Sequence, residues 1–159
     1  HWMAILAMDQ FGYLLADFIP ESATVRSLEE AGKLNEAGIV PVLLPFDLLR
    51  RADALPHSWA VTADSIAAWL AKAAGASTLV LLKDGKGLSN PVPGTLGSSP
   101  SPVTVEQLAD WEGVDGYLSR LLEGAGFDLW ILNGERPDRL SELLDTGRTE
   151  GIQLLRCDL

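Results

Sequence analysis

Residues 61–87, VTADSIAAWLAKAAGASTLVLLKDGKG, contain the two patterns that decide the fold class. The first half is rich in alanine and repeats its apolar residues at helical spacing up to Gly75, a residue type that commonly ends helices. The run TLVLLK that follows has the length and composition of a buried strand. A helix joined to a buried strand by so short a turn is typical of α/β proteins.

The same alternation of helices and strands continues along the chain. Capping-box patterns mark two helix starts, at Ser27 with Glu30 and at Thr104 with Gln107. The other predicted helices are HWMAILAMDQFGYLLAD, FDLLRRADAL, VDGYLSRLLEGAG and PDRLSELLD, and the predicted strands are IVPVLLP, STLVLLK, FDLWIL and GIQLLR. This order predicts an α/β sandwich with a largely parallel open sheet. The Gly-, Pro- and Ser-rich stretch 88–102 is expected to be a flexible loop.

The first predicted helix carries apolar side chains on nearly every face. They include Ala4, Leu6, Met8, Phe11, Leu14 and Leu15. This distribution indicates a helix buried between neighbours, so the chain is expected to begin inside a fold. With Trp2 and Tyr13 in the same segment, it also predicts a homo-oligomer.

Composition limits the classes of partner. The 159 residues correspond to about one domain, here 1–159, and 47% of them are hydrophobic, as in a soluble globular protein. The formal net charge of −10 disfavours nucleic acid and anionic membranes as partners. The lone Cys157 cannot form an internal disulfide, and His1 and His57 alone do not make a zinc-binding set. A cytoplasmic protein is therefore expected.

Asp64 has two interpretations. With Thr62 as the helix N-cap, Asp64 lies in the first turn, where the helix dipole stabilises a negative charge by roughly 0.3–1 kcal/mol. Alternatively, Asp64 belongs to a ligand site, because sites in open α/β sheets lie at the carboxyl ends of strands, where Lys83 and Lys86 fall. An acid and two lysines would then converge near one crevice.

These motifs resemble those of the amino acid kinase family, which includes acetylglutamate, uridylate and isopentenyl phosphate kinases. VTADSIAAWLA is similar to the family's motif that opens an alanine-rich helix, LVLLKDGKGL to its strand-end loop, and LWILNGERPDRLSELLDTGRTEGIQLL to its terminal segment. HWMAILAMDQFGYLLAD and LPHSWAVTADSIAAWLA look most similar to the branch of aminomethylfuran-methyl phosphate kinases of methanofuran biosynthesis. The resemblance implies a three-layer αβα sandwich of the amino acid kinase or carbamate kinase type, with ATP and magnesium as cofactors.

The resemblance also implies residue roles. Asp64 matches the catalytic aspartate that orients lysines around the transferring phosphoryl group, and the nucleotide-contacting loop corresponds to Lys83, Asp84, Gly85, Lys86 and Gly87. His57, Ser58 and Thr62 lie where the family binds its acceptor, a small molecule, and no residue matches a metal ligand. Plainer interpretations stand beside these: solvated charges for Lys83 and Lys86, a structural role for His57, and a simple type I or I′ turn for Asn133-Gly134.

The chain also departs from the family pattern. The glycine motifs KxGGS and GGG do not occur, and Ser119 and Arg120 stand near the place of a second family lysine. We therefore expect an incomplete amino-terminal part and no phosphoryl transfer by these 159 residues alone. The alternative is a non-catalytic relative that binds nucleotide or stores oxyanions.

Overall fold

The structure, a computed structural model, describes residues 1–84 and 101–155. It divides the chain into two compact units, His1–Trp59 and Ala60–Leu159. The single domain expected from the chain length stays a prediction. Most of the expected loop at 88–102 lies outside the described residues, as does Cys157. In the described part of the chain, no helix is both long enough and apolar enough to span a bilayer.

The first unit contains three helices and a two-stranded parallel sheet. In chain order these are α1 (Trp2–Phe18), β1 (Ser22–Val25), α2 (Leu28–Glu36), β2 (Val40–Leu43) and α3 (Phe46–Ala52). The helices and β2 confirm the sequence prediction, whereas β1 was not predicted. Strand β1 is only four residues long and buries Val25 alone, and its alternation of polar and apolar residues, SATV, is too short to indicate a strand by itself.

Strand β2 accommodates a proline because of the direction of its hydrogen bonds. The N–H groups of Val40 and Leu44 donate to the carbonyl groups of Glu21 and Val25. Donors to β1 therefore alternate along the strand, and Pro41 falls between them. The N–H that proline lacks is not required for this pairing.

Helix α1 buries one face rather than all of its surface. Its buried residues are Ile5, Asp9 and Gly12. At Gly12 the helix approaches the loop after β2 so closely that a Cβ would lie 2.6 Å from Leu44 Cδ2. The large apolar residues of α1 that remain exposed are Met3, Leu6, Phe11, Tyr13, Leu14, Leu15 and Phe18. Burial on every side is thus wrong for the described residues, because apolar composition alone did not reveal which face packs; the homo-oligomer stays a prediction.

The second unit contains a four-stranded mixed sheet. Its elements are α4 (Ala63–Ala74), β3 (Thr78–Lys83), β4 (Ser101–Pro102), α5 (Val105–Ala109), α6 (Leu118–Leu122), β5 (Asp128–Asn133), α7 (Pro137–Thr146) and β6 (Ile152–Leu154). The strand order is β3-β5-β6-β4, with β3/β5 and β4/β6 parallel and β5/β6 antiparallel. Helix α6 is shorter than predicted, and β4 was not predicted.

Strand β5 shows why this unit has three layers. Leu129 and Ile131 belong to the core formed with α4, α5 and α6. Trp130 and Leu132 pack instead with Leu143 of α7. Because successive side chains of a strand point to opposite faces, these two clusters cover the two faces of the sheet. The αβα sandwich is thereby confirmed.

The layer assignment makes a prediction about stability. Leu129→Ala should lower the free energy of unfolding by about 2–5 kcal/mol, because removing a core leucine leaves a cavity; the Leu129 side chain is 1% exposed. Leu144→Ala removes the same atoms from a side chain that is 75% exposed, and should change this free energy by about 0.5 kcal/mol or less. Chemical denaturation of both variants measures the difference, and equal losses would contradict the assignment.

Candidate functional site

The candidate site lies where α4 begins and β3 ends. Asp64, the second residue of α4, is 6% exposed, and Lys83 is the last residue of β3. The Lys83 ammonium donates to both carboxylate oxygens of Asp64, at 2.7 Å each. The side chain of Lys83 is 20% exposed and the side chain of Asp64 is 9% exposed, so the ion pair is largely withdrawn from solvent. The structure therefore brings together two of the predicted site residues.

A third donor to Asp64 comes from the segment before α6. The backbone N–H of Asp115 donates to Asp64 Oδ2 at 3.0 Å. All hydrogen bonds shown for Asp64 in the described residues thus come from outside α4. Asp64 does not act as a hydrogen-bonding cap of its own helix, although its charge still lies in the first turn, where the dipole favours it.

The cap of α4 is instead the side chain of Asp115. Thr62 is the N-cap residue, as predicted, but its hydroxyl does not accept a hydrogen bond from the helix. Asp115 Oδ2 accepts from the backbone N–H of Thr62 and of Ser65, both at 2.9 Å, and from Thr62 Oγ1 at 3.0 Å. The carboxylate takes the position that the hydroxyl of a capping threonine usually occupies.

The other oxygen of Asp115, Oδ1, caps α6. Asp115 Oδ1 accepts from Ser65 Oγ in a short hydrogen bond, and from the N–H groups of Tyr117 and Leu118 at 3.2 and 3.1 Å. Burial acts to raise the pKa of this carboxyl, but the hydrogen bonds from Ser65 and Thr62 together outweigh burial. The pKa of Asp115 is therefore lowered, and the carboxylate form stabilises the folded chain.

The turn at the end of β5 packs against the backbone of Lys83. Gly134 N–H donates to the Lys83 carbonyl at 2.7 Å, and a Cβ at position 134 would lie 3.4 Å from the same oxygen. Arg136 N–H donates to the Asn133 carbonyl, and Glu135 N–H to Asn133 Oδ1. Gly134 and Glu135 are the central residues of this turn. Neither has a positive φ, so the turn is not type I′.

The remaining predicted residues lie elsewhere. Asp84 follows β3 directly and is exposed. Gly85, Lys86 and Gly87 lie outside the described residues. His57 and Ser58 belong to the first unit, where His57 Nε2 lies 2.6 Å from Asp53 Oδ1 and the imidazole stacks on that of His1. The roles of all these residues stay predictions.

Asp115 and Ser65 are not among the site residues predicted from the sequence. Asp115 falls inside the predicted helix VDGYLSRLLEGAG, where only Ser119 and Arg120 are assigned a candidate role, in place of a second lysine. In the structure the Arg120 guanidinium lies 5.6 Å from the centre of the Tyr117 ring. An aspartate three residues before the first apolar residue of α6 is a capping signal for that helix, and it could have identified Asp115.

The cap makes a prediction about pH dependence. An aspartate in an unfolded chain has a pKa of about 3.9, and the folded pKa of Asp115 is lower. The stability that its ionised form contributes is therefore present above about pH 3.9 and is lost as the pH falls through the folded pKa. At pH 6, Asp115→Asn should have a lower free energy of unfolding than wild type in denaturation experiments. The difference between the two free energies should become smaller towards pH 3.

Asp110→Asn serves as the control for this experiment, because it removes the same charge from an exposed side chain directly after α5. A gap between wild type and Asp115→Asn that stays constant from pH 6 to pH 3 would contradict the assignment of the cap.

Comparison with known proteins agrees with this architecture. The model of the amino acid kinase family matches residues 2–119. The (5-(aminomethyl)furan-3-yl)methyl phosphate kinase of Methanocaldococcus jannaschii is 26% identical over 145 residues, which are 91% of this chain and 66% of that protein. The chain thus spans just under two thirds of the length of that relative.

A solved structure shows the same fold. UMP kinase from Ureaplasma parvum superposes with a TM-score of 0.68 at 15% sequence identity, over 96% of this chain and 69% of that one. Since the family model covers more than half of the sequence, including α4 and β3, the chain belongs to the amino acid kinase family.

Proposed function

We propose that this chain belongs to an ATP-dependent kinase that transfers a phosphoryl group to the phosphate monoester or carboxylate of a small molecule. The observation that carries the proposal is the ion pair between Lys83 and Asp64 at the edge of the sheet where β3 and β5 end. Family membership supports it, as does the name of the Methanocaldococcus relative, which describes a kinase for a phosphate monoester.

The ion pair suits phosphoryl transfer for a physical reason. Such transfer depends mainly on positioning and on stabilising the charge of the transferring group. A lysine ammonium has three N–H donors, and in the described residues Asp64 accepts two of those on Lys83. The third can reach a phosphate oxygen, while Asp64 fixes the direction of the ammonium. Lys83 would thus supply a fixed positive charge at the crevice.

Magnesium enters this proposal with the nucleotide. In residues 1–84 and 101–155, no three His, Cys, Asp or Glu side chains are grouped so that they could hold a metal ion. Both oxygens of Asp64 already bind Lys83. We assign no step of the transfer to a metal ligand of the protein.

The proposal also assigns an acceptor. We assign His57, Ser58 and Thr62 to its binding, as the family resemblance implies, and favour a phosphate monoester of the kind named for the relative, with a role in methanofuran-type cofactor synthesis. The Thr62 hydroxyl donates to Asp115, so it could only accept a hydrogen bond from a ligand. That these 159 residues alone are inactive stays a prediction.

Asp64→Asn tests the catalytic assignment. Turnover by the full-length protein should fall by roughly 100-fold or more, since a preorganised charge near the transferring group contributes about 3 kcal/mol to transition-state stabilisation. The assay follows ATP-dependent phosphorylation of a panel of small phosphate monoesters, with the melting temperature recorded in parallel and Asp110→Asn as the control. Near wild-type turnover in a folded Asp64→Asn protein would rule the assignment out. ATP binding without transfer by wild type would favour the non-catalytic alternative.

Lys83→Met tests the nucleotide contact. Calorimetric titration with ATP and magnesium should show at least about tenfold weaker binding, because losing a charge-assisted hydrogen bond removes about 1.5–3 kcal/mol. Lys72→Met is the matched control, since Lys72 is an exposed lysine in the last turn of α4. Equal affinities of the two variants would leave Lys83 without a role in nucleotide binding.

A further inference from the structure

Asp64 is held by donors of two kinds. The Lys83 ammonium ends a flexible side chain, so it does not by itself fix the direction of the Asp64 carboxylate. The Asp115 N–H is a backbone group, so its direction is fixed only as firmly as the segment between α5 and α6. How firmly the Asp64 carboxylate is held in position therefore depends on what holds the segment between α5 and α6 in place.

The carboxylate of Asp115 itself holds the segment. Each of its oxygens accepts from three donors, and the donors belong to Thr62, Ser65, Tyr117 and Leu118. Thr62 and Ser65 lie on either side of Asp64 in the chain, and Ser65 is fully buried. One side chain thus fixes both the turn that carries Asp64 and the N–H that Asp64 accepts from.

We propose that Asp115 is a positioning residue for Asp64, an inference that rests on the proposed kinase function. Asp115 acts through Asp64 rather than on a ligand. A carboxylate offers about four lone-pair sites, and six donors already surround this one. It has no acceptor capacity left for a substrate proton or a metal ion. Its effect on phosphoryl transfer is to keep both oxygens of Asp64 directed at Lys83.

A positioning residue and a purely structural cap differ in one measurable effect on activity. A residue that only stabilises the fold lowers activity by the same factor whether or not Asp64 is ionisable. A residue that acts through Asp64 loses its effect once Asp64 is replaced, because coupled residues are not additive.

The first experiment is a kinetic double-mutant cycle on the full-length protein. It uses ATP as donor and (5-(aminomethyl)furan-3-yl)methyl phosphate as acceptor. Asp115→Asn should lower kcat at least about tenfold while KM for ATP changes less than about threefold, since its own groups do not contact the nucleotide. In an Asp64→Asn background, the same change should lower kcat less than about threefold. Equal factors in the two backgrounds would overturn the proposal.

The second experiment needs no activity, so it separates failure of this inference from failure of the proposed function. Amine acetylation of Lys83, mapped by mass spectrometry, should be several times faster in Asp115→Asn, because an ammonium no longer gripped by both Asp64 oxygens is more accessible. The rates at Lys33 and Lys72, both exposed, are internal controls for the reactivity of the reagent. Unchanged labelling of Lys83 in folded Asp115→Asn overturns the proposal, even if wild type shows no transfer.

Ser65→Ala covers the case in which Asp115→Asn does not fold. It removes one hydroxyl donor from Asp115 and leaves every bond of Asp64 in place. A smaller rise in Lys83 labelling is expected, whereas no rise overturns the proposal. Asp110→Asn, an exposed acid in the same segment, should leave both kcat and labelling unchanged.

Discussion

The ion pair between Asp64 and Lys83 imposes the strictest constraint on the second unit. Withdrawing two charges from water is unfavourable unless their geometry is good and the remaining polar atoms are satisfied. The Asp64 carboxylate meets both conditions, since both of its oxygens accept from the ammonium and Oδ2 also accepts from a backbone N–H. The pair connects the start of α4 to the end of β3. These two ends lie at the same edge of the sheet because β3 follows α4 and runs in the opposite direction.

Strand pairing places the next group at that edge. In the parallel register of β3 and β5, Lys83 lies opposite Asn133. The turn after β5 therefore reaches the Lys83 carbonyl with Gly134, whose N–H donates to that oxygen. Both faces of the sheet are covered by apolar clusters, which hold the strands in this register. The geometry of the site follows from the sheet and needs no unusual backbone conformation at either strand end.

Local patterns predicted much of this arrangement. Helix α4 and strand β3 follow from apolar spacing and Gly75, and the convergence of Asp64 with Lys83 follows from where strand ends lie in open sheets. Strand β1 was not predicted because its alternation of polar and apolar residues extends over only four positions. The role of Asp115 escaped because its partners Thr62 and Ser65 are 53 and 50 residues away in sequence, and no local pattern encodes such a contact.

The carboxylates of Asp64 and Asp115 lie near the start of α4 and repel each other. In the structure they have different partners. Asp115 accepts the hydrogen bonds that a capping threonine would normally accept, and its charge is stabilised by N–H and hydroxyl donors. Asp64 is thereby released from capping, and its charge is balanced by Lys83. Had Asp64 capped its own helix, its oxygens would be turned towards backbone N–H groups and away from the ammonium. The remote cap is thus the condition under which an acid in the first turn of α4 can face Lys83.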